Sequence, residues 1–353
     1  MATTPFDLNI EEVLENWEVE HAVREVIANA LDEQLLTGGP DIEITREQPD
    51  RWRIRDFGRG LRIEHFTLNE DKEKLGSSLP IIGKFGAGLK DALATFRRRG
   101  VDVVITSPHG IFRLAPAAKH GFDNILTLHV YYDDTPQSLQ GTEFLLAGIT
   151  DAQMMKAKSL FMRFASEKVL DTTEYGEVVA RKESTARVYI RGVLASEEPN
   201  FLFSYNITSM TESMKKRLNR ERLNVGRTTY ADRVKAILRS SASSQVHDQL
   251  VDQVTRREFG DQKDEMAWTE ISQLALNLMH QRANVAFVTE QELQTKPDLV
   301  GAAKSDGIHV IVIWSYPGFV DGEHLGFSRP SVGRGFGLFN PRPGSHTDPR
   351  SGL

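Results

Sequence analysis

Apolar residues at Val19, Ala22, Val23, Val26, Ile27, Ala30 and Leu31 recur at three- and four-residue spacing, the period of one helix face. The spacing predicts a helix over residues 9–36, stopped by Thr-Gly-Gly-Pro at 37–40. The pattern then turns to alternation. Short strands are expected at 41–46 (DIEITR) and 51–56 (RWRIRD), the second running into DFGRG. A polar, lysine-rich loop at 67–80 leads into IIGKFGAGLKDALATF, where glycines give way to a helix. Four further strands are expected at 101–107, 110–115, 124–132 and 141–148, separated by turn residues. One helical layer against such a sheet predicts an α/β sandwich over residues 1–150.

Downstream, a helical stretch at 151–169 precedes strands near ARVYIRG and NFLFSYNI, a basic turn KKRLNRERLNVGR, and a helix from about Tyr230. This predicts a second, split α/β domain over 151–245. Residues 246–325 read as helices with strands at NVAFVT and GIHVIVIW, and 326–353 as a Gly-, Pro- and Arg-rich mobile tail.

Four polar features interrupt these patterns. Glu25, Asn29 and Asp32 stand four and three residues apart, so they share one stripe of the first helix. A carboxylate there can act as a base on water, and an amide oxygen can ligate magnesium. Such a stripe equally suits a solvated helix face. Asp56, in DFGRG with Gly58 and Gly60, is either part of a tight turn or a carboxylate facing a flat ligand that the glycines admit to the backbone. The run GKFGAG, with Gly83, Lys84, Gly86, Ala87 and Gly88, opens a helix. Free N–H groups at a helix start suit phosphate, although a glycine-capped loop has the same composition. It is not a Walker loop, because no Gly-Lys-Ser/Thr occurs in the chain. The fourth feature, GTEF with Thr142, says little alone.

Composition adds exclusions. The 353 residues allow about two domains. The net charge of −6 argues against a dedicated nucleic-acid binder but leaves room for basic patches at Arg97–Arg99, at 215–222 and in the tail. With no cysteine, disulfides, thiolate metal sites and a cysteine nucleophile are excluded. No apolar run reaches the length of a membrane span, and the first residues do not form a signal peptide, so a cytoplasmic protein is expected.

Taken in order, Glu-x-x-x-Asn, Asp-x-Gly-x-Gly, Gly-x-x-Gly-x-Gly and Gly-Thr-x-Phe resemble the motifs of the GHKL ATPases. That superfamily includes DNA gyrase B, the heat-shock ATPase chaperones, histidine kinases, MutL mismatch-repair proteins and MORC proteins. The resemblance covers residues 20–145, and IIGKFGAGLKDAL looks most like the lid of the MORC and heat-shock branches. It implies a two-layer α/β sandwich of the GHKL (Bergerat) type, then a transducer-like split α/β domain and a further α/β segment. It also implies ATP and Mg2+ as cofactors and hydrolysis of ATP to ADP and phosphate. By matching position, Glu25 would polarise the attacking water and Asn29 would hold the metal, while Asp32 would lie near the nucleotide. Asp56, with Thr142, would take the adenine amine. Gly83, Gly86 and Gly88 would form the lid, with Lys84 and Lys90 nearby. Arg220 is the first choice, and Arg222 the second, for a transducer side chain that reaches the terminal phosphate. The expected behaviour is an ATP-dependent homodimer acting on DNA or a protein partner, with no membrane involved. A nucleotide-binding scaffold with negligible turnover and a histidine-kinase-type enzyme are the alternatives.

Overall fold

The computed structural model describes residues 4–8, 17–66, 79, 81–82, 87–119, 122–182, 184–218, 225–256, 262–282 and 285–313. The chain is a mixed α/β protein that divides into two compact units, Met1–Glu265 and Met266–Leu353.

Among the described residues of the first unit, seven strands make one sheet: β1 (Thr4–Asp7), β2 (Glu43–Gln48), β3 (Arg51–Arg55), β4 (Asp102–Ser107), β5 (Gly110–Lys119), β6 (Phe122–Asp133) and β7 (Glu143–Ala147). Their spatial order is β1-β6-β5-β4-β7-β3-β2, and every neighbouring pair is antiparallel. Alternation decides which face is covered. In β4, Val103, Ile105 and Ser107 point inward, and in β7 Phe144 and Leu146 do, so the register Val103↔Leu146 and Ile105↔Phe144 stacks apolar side chains on one face. Helices α1 (Val19–Thr37) and α2 (Ala87–Arg98) cover that face with Val23, Val26, Ile27, Leu89, Leu93 and Phe96. Helix α3 (Asp151–Ser159) packs beside α1 and adds Met154 and Ala157 to the same core.

Helix α1 differs from its expected span. It starts at Val19, where Glu18 and His21 form a capping box; residues 9–16 of the expected helix lie outside the described residues. Strand β1 was not expected. It is only four residues long and is held by backbone pairing to β6, which leaves no periodic signal.

A second sheet, also in the first unit, has the order β11-β10-β12-β9-β8. Its strands are β8 (Val169–Thr173), β9 (Gly176–Val179), β10 (Ala186–Ile190), β11 (Val193–Glu198) and β12 (Ser204–Ile207). Strands β10 and β12 run parallel and the other pairs antiparallel. Helix α4 (Glu212–Leu218) precedes α5 (Arg227–Ser240), which packs on this sheet; α6 (Ser244–Arg256) follows. The buried carboxylate of Glu198 ties α5 to the sheet through Arg227 and Tyr230. Strands β8 and β9 are not predicted by the pattern; β8 carries Asp171, Thr172 and Thr173 and so has no apolar alternation.

The second unit contains α7 (Thr269–Arg282), then β13 (Val285–Thr289) and β14 (His309–Ile313) paired in parallel. Helices α8 (Glu290–Thr295) and α9 (Pro297–Ser305) form the crossover that a parallel pair needs. No described helix is long and apolar enough to cross a membrane.

Candidate functional site

Asp56 and Thr142 are 86 residues apart and meet because β3 pairs with β7. The pair Arg55↔Glu143 ends the ladder, and Asp56, which follows Arg55, continues the exchange with Thr142, which precedes Glu143. The Asp56 amide donates to the Thr142 carbonyl at 3.0 Å, and the Thr142 amide donates to Asp56 Oδ1 at 3.2 Å. The Gly58 amide also donates to Oδ1, at 2.9 Å. Thr142 Oγ1 accepts the Leu61 amide at 3.0 Å, so one threonine holds both ends of the DFGRG turn. Asp56 is only 5% exposed. Burial pushes its carboxyl above the usual aspartate range, the Gly58 and Thr142 donors pull it back, and the Glu33 charge adds to the rise.

The glycines of this turn have internal reasons to be glycine. A Cβ at Gly58 would fall 2.2 Å from Glu33 Cγ. Glu33 sits on α1 and receives the Arg59 backbone amide at 2.8 Å and a two-pronged bond from its guanidinium, which locks the turn to the helix. Gly60 and Gly141 have φ of +87° and +83°. A Cβ on Gly141 would also lie 2.0 Å from the Asp56 carbonyl oxygen. The sequence allows Gly58 and Gly60 either to make a tight turn or to admit a ligand to the backbone. In the structure the atoms crowding them are the protein's own, Glu33 at the first and Pro108 at the second.

On α1, Glu25 and Asp32 are buried and Asn29 is half-buried. Glu25 Oε1 takes both Nη2 and Nε of Arg24, at 2.7 and 3.1 Å. Arg24 is 1% exposed, with its guanidinium carbon 5.5 Å from the Trp17 ring centroid. Its Nη1 has no hydrogen-bond partner among the described residues. Nothing in the sequence singled out Arg24; a charged residue beside another on a helix ordinarily points to solvent. Asp32 Oδ1 accepts the Ile82 amide at 2.6 Å, which ties α1 to the segment that precedes the glycine-rich run.

Gly83, Lys84 and Gly86 lie outside the described residues, as do Arg220 and Arg222. Ala87 and Gly88 open α2, with Gly88 buried. Lys90 is buried too. Its Nζ is 3.5 Å from the Leu8 carbonyl beyond β1, and burial depresses its ammonium below the usual lysine value while Asp91 and Asp7 oppose that. Two of the arginines in the expected basic patch at 97–99 serve the helix ends: Arg98 and Arg99 bond the Trp17 carbonyl, and Arg99 pairs with Glu18.

One further residue reaches this region from the second sheet. Arg191, in the β10–β11 turn, donates from Nη1 to the Ile81 carbonyl at 2.6 Å. Burial holds its guanidinium below the ordinary arginine value, and Asp32 acts in the opposite sense. The available signal was Arg-Gly between two strand patterns, which marks a two-residue turn but not its reach.

The family model described as "Mycoplasma pneumoniae MPN635 N-terminal domain" matches residues 152–244. Among solved structures, the 43K ATPase domain of Thermus thermophilus gyrase B, crystallised with an aminocoumarin, is 14% identical. The match covers 50% of this chain and 61% of that one, with a TM-score of 0.24. The N-terminal domain of a DNA repair protein is 11% identical over 54% of this chain and 87% of that one, also at 0.24. Both are weak structural likenesses. A second Mycoplasma pneumoniae protein, described as uncharacterized, is 24% identical over 42% of each chain. Another protein of that organism, with the same description, is 37% identical over 240 residues, 67% of this chain and 96% of the relative. Identity at that level across nearly the whole relative settles kinship: the chain belongs to the family of this Mycoplasma pneumoniae protein.

Proposed function

We propose that the chain is a magnesium-dependent, ATP-binding and ATP-hydrolysing conformational switch of the GHKL type. In this reading residues 1–150 are the nucleotide domain, 151–245 a transducer-like domain, 246–325 a helical and α/β region and 326–353 a tail. ATP drives closure or dimerisation, and the partner is DNA or another protein, in the manner of the MORC, MutL and heat-shock branches. The observation that carries the reading is the meeting of Asp56 with Thr142 at the end of paired strands, with the α1 stripe bonded to the approach to the glycine-rich run.

The donor set suits the proposed ligands. An adenine amine needs an acceptor shielded from water, and Asp56 is a buried carboxylate whose backbone donors, from Gly58 and Thr142, both fall on Oδ1. Asn29 brings one hard oxygen donor, and magnesium ordinarily keeps several waters and phosphate oxygens besides one or two protein ligands. Bound Mg-ATP would supply the electrophilic terminal phosphoryl group. Glu25 would then orient a water and take its proton, held in place by Arg24. Asp32 would fix the backbone at Ile82, and Arg220 would add charge at the terminal phosphate.

The test is a calorimetric titration with Mg-ATP alongside a phosphate-release assay. Glu25→Gln keeps an acceptor for Arg24, so it should bind Mg-ATP as the natural protein does and release phosphate about 100-fold more slowly. A natural protein that does not bind Mg-ATP overturns the reading. The Arg24–Glu25 pair favours a second reading, a nucleotide-binding scaffold with negligible turnover. Under that reading the natural protein binds ATP, and Glu25→Gln leaves an already negligible release unchanged.

A further inference from the structure

The Ile81 carbonyl and the Ile82 amide belong to one peptide group, and the protein grips that group from both ends. Asp32 Oδ1, on α1, takes the N–H at 2.6 Å. Arg191 Nη1, from the turn between β10 and β11, gives its hydrogen to the C=O at 2.6 Å. Both bonds are short and charge-assisted, the kind worth about twice a neutral one. They are also long-range, spanning 50 and 110 residues of sequence. Ile81 and Asp32 are each 1% exposed, while Ile82 and Arg191 are half-buried, so one partner of each bond is shielded from water.

The position of Arg191 is costly. Its φ is +51°, in a region that disfavours side chains other than glycine, asparagine and aspartate. Gly192 follows at +77°, and Ile190 pairs with Val193, so the two residues form the left-handed hairpin turn that a tight antiparallel connection demands. Asparagine or glycine fills the first place of such a turn at less cost. Arg191 Nε is moreover buried with no hydrogen-bond partner among the described residues. A strained backbone and an unpartnered buried donor together call for a compensating role, and the grip on Ile81 is what the guanidinium does.

We propose that Arg191 is a positioning residue that couples the second sheet to the candidate nucleotide site by fixing the Ile81–Ile82 peptide group jointly with Asp32. The clamp stands one residue ahead of Gly83 in the sequence and five ahead of Ala87, where α2 begins. It therefore fixes the last peptide group ahead of the glycine-rich run in the sequence. Its effect on ligand rests on the ATP-binding reading; the clamp itself does not.

Three variants of the full chain separate the guanidinium from the strain. Arg191→Asn keeps a residue that tolerates the left-handed turn, Arg191→Gly relieves the turn altogether, and Arg191→Lys keeps a charge that donates from a single point. Amide hydrogen exchange at Ile82 is measured without nucleotide, and Mg-ATP affinity by calorimetry. The Asn and Gly variants should unfold cooperatively near the natural temperature, while Ile82 exchange rises about 10-fold and ATP affinity falls about 10-fold, with Lys between. Asp32→Asn should speed Ile82 exchange as well, and adding it to Arg191→Asn should give less than the product of the two effects. Unchanged Ile82 exchange in both the Asn and Gly variants overturns the clamp, whether or not ATP binds. Faster exchange with undiminished ATP affinity overturns the coupling to the site. Faster exchange in a protein whose natural form binds no ATP supports the clamp and overturns the proposed function instead.

Discussion

Asp56 shows how one side chain is asked to do two opposed things. Burial raises its carboxyl above the ordinary aspartate value, so the ionised form that an adenine amine requires is the form the fold disfavours. The sign follows from proton uptake: a carboxyl with a raised folded pKa binds more protons in the native state than in the unfolded one. Its contribution to stability is therefore greatest at acid pH and declines as pH rises from the ordinary aspartate value to the raised one. Asp56→Asn removes that penalty while its side-chain oxygen still accepts from Gly58 and Thr142. Its thermal midpoint at pH 8 should match or exceed that of the natural protein, measured without nucleotide. The same substitution sets an amide N–H against the adenine amine, which should weaken ATP binding by roughly 1–3 kcal/mol, or one to two decades. A variant that gains stability and keeps full ATP affinity would remove Asp56 from the site. The motif Asp-x-Gly-x-Gly was legible because turn chemistry is local. The service of Gly58 to Glu33, and of Gly141 to the Asp56 carbonyl, was not, because both partners come from distant elements.

Between elements, the second sheet is fastened by a buried carboxylate. Glu265 has no exposed surface, and both its oxygens accept the Leu202 amide at 2.8 Å, with the Tyr205 hydroxyl at 2.9 Å on Oε1. Burial pushes it up to about 7, and the backbone and tyrosine donors only partly offset this. Being raised on folding, it favours the native state most at or below pH 4.5, and that advantage drains away as the pH climbs to about 7. Glu265→Gln cannot titrate. Urea unfolding of the two proteins at pH 4.5 and pH 8 should show the natural protein losing on the order of 3 kcal/mol relative to the variant. A constant offset between them at both pH values would mean that folding does not raise the Glu265 carboxyl. Elements with strong period-two patterns, such as β4 and β7, were readable in the sequence. Strand β8 was not, because its Asp171 is turned to other work, accepting bonds from Ser241, Ala242 and Ser243 at the approach to α6.

For the whole molecule, the proposed switch makes a demand that no single element can meet: hydrolysis must depend on residues beyond the nucleotide domain. Arg220→Ala should leave ATP affinity within a few-fold of natural and lower the catalytic rate by about 100-fold, the scale of losing one preorganised donor to a transition-state charge. The natural protein should shift from monomer to dimer on addition of a non-hydrolysable ATP analogue, read by sedimentation velocity. An Arg220→Ala enzyme with full turnover would sever the second sheet from the chemistry. What the sequence determined by itself was everything that neighbouring residues decide: the periodicity of α1, the alternation of β4 and β7, the turns, and the order of the four motifs. Those signals are local because they report which side of a helix or strand avoids water. Only the tertiary structure decided that β3 lies against β7 and brings Asp56 to Thr142, that Arg24 turns inward to hold Glu25, and that Arg191 reaches Ile81. These depend on strand register and on partners for buried charge. Such partners are chosen by the free energy of the whole fold, because a buried charge must find its counterpart wherever the packing has placed it.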